Sequence, residues 1–400
     1  MNIELKHVIA FKSLIIKLIK NKSFHQFSLV LLLLFTNSCI TQFIPDINEE
    51  KELLVVEGLI TNEPVSNTIN LSVSLPVGKM SETRPLSGCT VIISDDIGNN
   101  YSLNEKDIGA YVTDSVQFKG EIGRKYILKI ILNKNNRTFN YQSYPVEMKP
   151  VPAIDSLFYE KMVIQEKFEN FPGVDACQIY LNTHDPENKC RFFRWEYEET
   201  WILRLLWPVD NMKCWISDKS KSINIRNTSN IEQATISRYP INYISNATDR
   251  LRTKYSILVN QYSLNKEEYN YWEDLQNLTV QVGGLSDIIP FSIPSNLFCV
   301  ENTNEKVLGY FSVSAKSSKR IFIEDNFAGI VDDYANCPSD TIPTDYPFYL
   351  PGFNVSIWAL LIHKGSFTDA PYTILTERKG CADCTERGTT KKPDFWIDDK

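Results

Sequence analysis

The most compact group of reactive residues in the sequence is a Cys-x-x-Cys pair, Cys381-Ala382-Asp383-Cys384. A thioredoxin-like redox site would place the first cysteine at a helix start in a βαβ unit. A structural zinc site would need two further ligands, and the sequence holds no second Cys-x-x-Cys. Glycines and threonines surround the pair and do not predict such a helix. The pair therefore favours disulfide bonding over redox or metal chemistry.

Two groups of acidic residues could suggest other chemistry. The segment His184-Asp185-Pro186-Glu187 contains metal-ligand types, but Pro186 predicts a turn and no second histidine lies at ligand spacing. Glu196, Glu198 and Glu199 could suggest a glycosidase pair, yet such carboxylates must flank a substrate from separate segments. We expect solvated neighbours on a strand instead. With no nucleophile elbow, P-loop or dinucleotide motif, the sequence predicts a non-enzymatic protein without cofactor or metal.

Aromatic residues make up 12% of the chain, which favours β-structure and leaves surplus rings for a contact surface. Several tryptophans could form a stacking platform for sugars or a patch that faces a partner protein. Aromatic side chains on strands are more often part of the core. Both interpretations apply to Trp195, Trp201, Trp207, Trp215 and Trp272.

The first residues have the pattern of an export signal. Lysines precede the apolar run Leu29–Phe35, and Thr36-Asn37-Ser38-Cys39 follows, which resembles a bacterial lipobox. We predict a signal peptide over residues 1–38, cleavage before Cys39 and lipidation of that cysteine. The alternative, an uncleaved anchor over residues 27–44, is marginally short and interrupted by polar residues. Residues 39–52 form an acidic tether, which is either a surface-export signal or a solvated linker.

Export to an oxidising compartment would permit disulfide bonds. Without Cys39, eight cysteines remain, and their pairing cannot be deduced from sequence. The disulfide candidates are Cys89, Cys177, Cys190, Cys214, Cys299, Cys337, Cys381 and Cys384. Three Asp-Ser/Thr-apolar triplets resemble the short O-glycosylation acceptor of Bacteroidetes, and they make Ser115, Ser156 and Thr341 candidates for modification.

Strand patterns dominate the rest of the chain. About seven short strands in about a hundred residues, such as the alternating Thr68–Leu75, predict an immunoglobulin-like β-sandwich over residues 53–150. Pro150-Val151-Pro152 is typical of a boundary, and residues 151–376 predict a larger β-rich second domain. Asn265–Leu275 has an Asn cap, early acidic residues and helical spacing, which predicts a short helix. Residues 377–400 form a cysteine-containing tail.

Several segments spread along the mature chain resemble a domain-of-unknown-function family of Bacteroidetes lipoproteins, commonly encoded beside TonB-dependent outer-membrane receptors. The resemblance implies a location and an association with a transporter, and it implies no reaction. The segments that carry it are Leu54–Gly58, Pro152–Leu157, Asp185–Asn188, Arg194–Trp201, Tyr255–Leu264, Val307–Phe311, Cys381–Cys384 and Lys392–Trp396.

Charge and composition narrow the class of function. Hydrophobic residues are 43% and charged residues 23%, as in a globular protein. The net charge is -7 and the mature part has no long basic run, so nucleic acid is not an expected partner. We expect an outer-membrane, lipid-anchored accessory or ligand-binding partner of a TonB-dependent nutrient transporter, on either face of the membrane. The alternatives are a structural or assembly lipoprotein without ligand and, less favoured, an extracytoplasmic hydrolase.

Overall fold

The computed structural model describes residues 52–74, 83–134, 136–164, 174–205, 211–245, 248–281, 293–327, 339–343, 358–363, 372–376 and 379–397. These residues confirm the prediction of a mainly β chain with a short helix. The strands are β1 Leu54–Ile60, β2 Thr68–Val73, β3 Arg84–Pro85, β4 Thr90–Asp95, β5 Asn100–Ser102, β6 Asn104–Asp107, β7 Ala110–Val112, β8 Lys125–Lys134, β9 Arg137–Ser143, β10 Val146–Glu147, β11 Ile154–Ile164, β12 Val174–Asp185, β13 Phe192–Arg204, β14 Lys213–Lys219, β15 Asn224–Asn227, β16 Ala234–Ile244, β17 Tyr255–Leu264, β18 Leu297–Cys299, β19 Leu308–Val313, β20 Lys316–Ile323, β21 Ser339–Pro343, β22 Trp358–His363 and β23 Tyr372–Thr376. The helix α1 is Lys266–Gln281, and Asp249–Leu251, Lys379–Cys381 and Cys384–Glu386 are single turns of 3-10 helix.

The first part of the described chain is a two-layer β-sandwich. One sheet has the order β19-β1-β2-β7-β6 with β3 beside β2, and the other has the order β18-β9-β8-β4-β5 with β10 beside β8. The two sheets share one hydrophobic core, in which Val56 and Ile69 of one sheet and Ile93 and Leu128 of the other are fully buried. Strand alternation causes this arrangement, because every second side chain along a strand points to the same face.

Two strands of the sandwich come from far downstream of residue 150. Strand β18 pairs with β9, and β19 runs parallel to β1, from Val55 opposite Leu308 to Ile60 opposite Val313. The side chains of Cys299 and Phe311 are completely buried in the sandwich core. The sandwich therefore extends beyond the predicted range 53–150, and the segment 297–313 belongs to its core.

The second part is built around the aromatic strand β13. It pairs antiparallel with β17 in a sheet of order β14-β13-β17-β20, and β15 lies beside β13. A second sheet of order β11-β12-β16 contributes Ile179 and Leu181 to the same core as Trp195 and Tyr255. A separate small sheet has the order β21-β23-β22.

The helix α1 lies in the connection between β17 and β18. Its first turn carries Glu267 and Glu268, which interact favourably with the positive end of the helix dipole. Tyr269 packs against Phe192 of β13 with ring centroids 5.2 Å apart. The predicted helix is thus confirmed, and it continues past Leu275 to Gln281.

Gly309 permits the close approach of the paired strands β1 and β19. Its φ is +83°, a conformation that L side chains rarely adopt. A Cβ at this position would lie 2.0 Å from the carbonyl oxygen of Val56 on the paired strand. Only glycine allows the backbone of β19 to approach β1 so closely.

We therefore expect Gly309→Ala to destabilise the protein by at least about 3 kcal/mol, because backbone strain and steric overlap with Val56 both oppose folding. Urea unfolding followed by tryptophan fluorescence measures the loss. Gly98→Ala is the matched control, since Gly98 also has positive φ (+95°) but its Cβ would meet nothing within 4 Å. The control should lose only about 1–2 kcal/mol. Equal losses in the two variants would contradict this explanation.

Candidate functional site

The predicted lipidation site and its leader lie outside the described residues. This applies to Cys39, to the signal peptide over residues 1–38 and to all of the tether except Glu52. Within the ranges that the structure describes, no helix combines the length and the apolar character needed to cross a bilayer.

The Cys-x-x-Cys pair takes part in disulfides, but its two cysteines do not bond each other. Cys384 bonds Cys214 of β14, with Cα atoms 5.7 Å apart, and thereby fixes the C-terminal segment to the second part of the fold. Cys381 is also disulfide-bonded. Cys337 lies outside the described residues.

Four other disulfide candidates are free thiols in the structure, which corrects the sequence-based candidate list. They are Cys89, Cys177, Cys190 and Cys299. Cys177, Cys190 and Cys299 are buried among apolar side chains, where a thiol packs as a small hydrophobic group. Burial raises the pKa of the Cys177 thiol to about 12. An even number of cysteines was therefore no guide to pairing.

The three O-glycosylation candidates differ in their surroundings. Ser115 lies in an exposed turn, beside Val116, which is 92% exposed. Ser156 is partly buried in β11, and its hydroxyl accepts a hydrogen bond from the Asn182 amide at 2.8 Å. Thr341 lies in β21. Of the first two, Ser115 offers the more accessible hydroxyl.

Most of the tryptophans belong to the core. Trp195, Trp201 and Trp215 are buried, so the core interpretation holds for them. The indole N–H of Trp195 donates to Oε1 of Gln261 at 2.9 Å, and Gln261 Nε2 donates to the carbonyl oxygen of Pro152 at 2.9 Å. This network links β13, β17 and the segment before β11. Trp207 lies outside the described residues.

The three glutamates of β13 have different environments. Glu196 forms an ion pair with Arg194 at 2.7 Å, and Glu198 lies 3.4 Å from Lys219 at the surface. Glu199, by contrast, is buried. The expectation of solvated neighbours is therefore wrong for Glu199. Strand parity could have revealed its burial, because Glu199 shares a face with Trp201.

The Glu199 carboxylate already has a full set of partners. Its oxygens accept hydrogen bonds from the Tyr255 hydroxyl at 2.8 Å and from Arg250 Nε at 2.9 Å. The Arg250 guanidinium also lies over the ring of Trp201, 4.5 Å from its centroid. Burial and the nearby Glu199 hold the pKa of the Tyr255 hydroxyl well above its ordinary value. These interactions stabilise the end of β13 and leave the carboxylate little capacity for catalysis.

The turn predicted at Pro186 is confirmed, and His184 and Asp185 are the last residues of β12 before it. Asp185 accepts hydrogen bonds from the backbone N–H groups of Glu187 at 3.1 Å and Cys190 at 2.7 Å, which close the chain reversal. His184 lies 2.8 Å from Asp155 on the surface. Among the residues that the structure describes, no three His, Cys, Asp or Glu side chains are grouped so that they could hold a metal ion.

The best candidate for a binding site is a cleft of about 760 Å³ between the sandwich and α1, which we call the helix cleft. This volume lies within the range of about 300–1,000 Å³ that is usual for ligand pockets. It is lined by Lys125, Tyr144, Pro145, Val146, Glu147, Asn265, Glu267, Asn270, Tyr271, Asp274, Pro294, Ser295, Asn296 and Tyr310. A smaller polar cleft of about 410 Å³ lies beside Glu199 and Arg250.

One face of α1 forms a wall of the helix cleft. Glu267, Asn270, Tyr271 and Asp274 are three or four residues apart, and this spacing aligns side chains along one side of a helix. The ring of Tyr271 contacts that of Tyr310 with centroids 4.7 Å apart. Sequence analysis did not detect this cleft, since its lining residues come from two regions of the chain, 125–147 and 265–310, that are more than a hundred positions apart.

A buried carboxyl group lies on another face of the same helix. Glu268 is fully buried, and burial raises its pKa to about 7 despite the nearby Arg194 guanidinium and hydrogen bonds from Ser312 and Trp272. Arg194 itself lies over the ring of Trp272, 4.3 Å from its centroid. Glu268 thus joins α1 to β13 and β19 through polar contacts. Because its carboxyl group is buried, this group is costly to ionise.

The sequence of the chain matches the model of one protein family. The model described as Domain of unknown function (DUF4249) matches residues 40–320. The chain belongs to the DUF4249 family. None of the curated proteins matches the chain. The DUF4249 region includes every residue that lines the helix cleft, whereas the disulfide-bonded Cys381 and Cys384 lie beyond it.

The raised pKa of Glu268 predicts a pH dependence of stability. Between its ordinary pKa of 4.5 and about 7, the unfolded chain releases the proton while the folded chain retains it. Stability conferred by the protonated group is therefore lost as pH rises through this window, by about 1.4 kcal/mol per pKa unit. Glu268→Gln keeps a neutral side chain, so it should gain stability relative to the natural protein between acidic and mildly alkaline pH.

Urea unfolding at a series of pH values measures this difference. Glu267→Gln is the matched control, because Glu267 is the exposed neighbour on the same helix turn. Its stability should follow that of the natural protein across the series. A difference between Glu268→Gln and the natural protein that does not change with pH would contradict the assignment.

Proposed function

We propose that the mature chain is a lipid-anchored outer-membrane protein that binds a ligand as the non-catalytic partner of a TonB-dependent nutrient transporter. The observation that supports the binding role is the helix cleft, whose wall carries aromatic, amide and carboxylate side chains. Such a mixture of flat rings and a few polar groups is typical of ligand sites.

The lipid anchor is proposed from the sequence. A basic region, the apolar run Leu29–Phe35 and the polar residues before Cys39 together form the pattern of a lipoprotein leader. The disulfide between Cys214 and Cys384 supports export, because such bonds persist in oxidising compartments. The partnership with a transporter rests on the resemblance described above.

The positions of the described acidic groups favour a binding function over hydrolysis. Among the described residues, the two buried glutamates, Glu199 and Glu268, are held inside the fold and do not line the helix cleft. Of the three carboxylates that line it, Glu267 and Asp274 lie on the exposed face of α1, and Glu147 on the sandwich side is already ion-paired with Lys149 at 2.8 Å. A glycosidase pair needs an available carboxyl group on each side of its substrate.

The test is affinity purification of the tagged chain from native outer membranes, with mass spectrometry of the recovered proteins. We expect the natural chain to be acylated, to fractionate with the outer membrane and to recover a β-barrel receptor. Cys39→Ala should remain unprocessed or become soluble and should lose the receptor. Cys89→Ala is the control, since it removes an unbonded thiol outside the leader sequence.

Two results would overturn the proposal. One is a Cys39→Ala protein that still reaches the membrane in acylated, mature form, which would exclude the proposed anchor. The other is repeated purification of the natural chain without any transporter, which would favour a structural or assembly lipoprotein.

A further inference from the structure

We infer that the helix cleft binds an oligosaccharide whose sugars are neutral or carry amino groups. This inference rests on the proposed binding function and names the class of ligand. It combines three features of the cleft: aromatic rings on its walls, unpaired planar polar groups on α1, and an excess of negative charge.

Aromatic rings are present on both sides of the cleft. On the helix side, Tyr271 is half-buried and packs against the nearly buried Tyr310, so its position is fixed before a ligand arrives. On the sandwich side, Tyr144 is 60% exposed and rests against Phe298 with ring centroids 5.0 Å apart. Rings that are braced on one side and accessible on the other can stack on the apolar face of a sugar at low entropic cost.

The polar groups of the α1 wall are available for hydrogen bonding. Glu267, Asn270 and Asp274 are exposed, and their side chains form no hydrogen bond or ion pair with other described residues. Carboxylate and amide groups present two polar atoms in one plane. Such a pair of atoms matches two neighbouring hydroxyl groups of a sugar, and the spacing along the helix repeats the arrangement once per turn.

Other polar residues of the cleft have structural roles. Asn296 is almost completely buried, and its amide exchanges two hydrogen bonds with the backbone of Phe311, at 2.8 and 2.9 Å. Asn265 donates to the carbonyl oxygen of Glu147 at 2.9 Å. These two residues fix the walls, and the free groups of α1 remain for the ligand.

The charge of the cleft selects among saccharides. Three carboxylates, Glu147, Glu267 and Asp274, line the cleft, and Lys125 is the one cation among its described lining residues. Glu147 is partly neutralised by Lys149 at 2.8 Å. The remaining negative charge disfavours uronic acids and phosphorylated sugars, and it tolerates neutral sugars or attracts amino sugars.

A basic peptide is the competing ligand for an acidic cleft, and the cleft offers it less. Capture of a peptide as an added strand needs a free strand edge of some length. The cleft is lined by residues of β8, β10 and β19. Strand β10 has only two residues and already pairs with β8, and the backbone N–H and carbonyl of Phe311 in the edge strand β19 are already bonded by the Asn296 amide. The cleft therefore offers rings on which a sugar can stack but no suitable strand edge for the main chain of a peptide, and this favours a saccharide.

The test is isothermal titration calorimetry of the detergent-purified full chain at millimolar concentrations of four probes. The probes are maltohexaose, the hexamer of glucosamine, the hexamer of galacturonic acid and hexalysine. We expect heat of binding with maltohexaose, with the glucosamine hexamer or with both, and none with the galacturonic acid hexamer. Asn270→Ala should weaken this binding by about tenfold, the factor expected for one or two lost neutral hydrogen bonds.

Asn277→Ala is the matched control. Asn277 has the same side chain, is exposed on the same helix and does not line the cleft. It should bind like the natural chain, and thermal unfolding should show that both variants fold.

Several outcomes would overturn the inference. They are no binding of any saccharide, binding of hexalysine or the galacturonic acid hexamer alone, and equal affinity of Asn270→Ala and Asn277→Ala. Each of these results leaves the proposed partnership intact if the outer-membrane purification still recovers a transporter. If the chain binds a saccharide but the outer-membrane purification recovers no transporter, only the proposed partnership is refuted.

Discussion

The whole fold depends on one constraint, the return of β19 to the parallel edge of β1. Parallel neighbours need a long crossover, because the chain must travel back to the same end of the sheet. Here the crossover contains the sheet β11-β12-β16, four further strands of the second part (β13, β14, β15 and β17) and α1. Phe311 and Val313, at the end of this crossover, are completely buried in the sandwich core. The sandwich is therefore closed only after most of the chain has been placed.

This constraint also explains the position of α1. The helix begins directly after β17 and its chain must return to β18 and β19, so it is held against both parts of the fold. Contacts at its start fix it further: Ser263 donates to the carbonyl oxygen of Lys149 at 2.6 Å, and Asn265 donates to that of Glu147. The helix cleft is the space that remains between α1 and the sandwich. Its rigid walls follow from the topology and not from local sequence.

The interior of the second part depends on polar contacts as much as on apolar packing. Gln261 is completely buried, yet its amide bonds Trp195, Pro152 and Thr183, which satisfies its donors and acceptor. A buried polar group with all its partners specifies one arrangement of the strands, because any shift of register would leave it unpaired. Such contacts make the strand register of β13 and β17 specific.

Local patterns in the sequence predicted individual elements but not the partners with which they pair. The alternation of β2, the aromatic run of β13 and the capped helix all correspond to observed elements, since one buried face is enough to produce each pattern. The sequence did not identify β11, β12 or β16 as strands, because polar and apolar side chains mix on their partly exposed faces. It placed residues 307–313 in the second domain and not in the sandwich, because pairing with a distant strand leaves no local trace.

The candidate site was predictable only in part, for the same reason. The aromatic richness was visible, but most of the tryptophans went into the core, and the rings that line the cleft are tyrosines from three separate segments. The free thiols of Cys177 and Cys299 follow from their packing positions, which a cysteine count cannot provide. What a sequence reveals here is which faces are buried; which faces meet is determined by the crossover.

Expression of residues 52–150 alone tests most directly whether the sandwich needs the returning strands β18 and β19. Amide chemical-shift dispersion in a two-dimensional NMR spectrum would report whether the fragment folds. We expect poor dispersion for residues 52–150, and recovery of dispersed resonances when residues 293–315 are joined through a flexible linker. A fragment 52–150 that folds cooperatively by itself, with the stability of the linked form, would contradict the account.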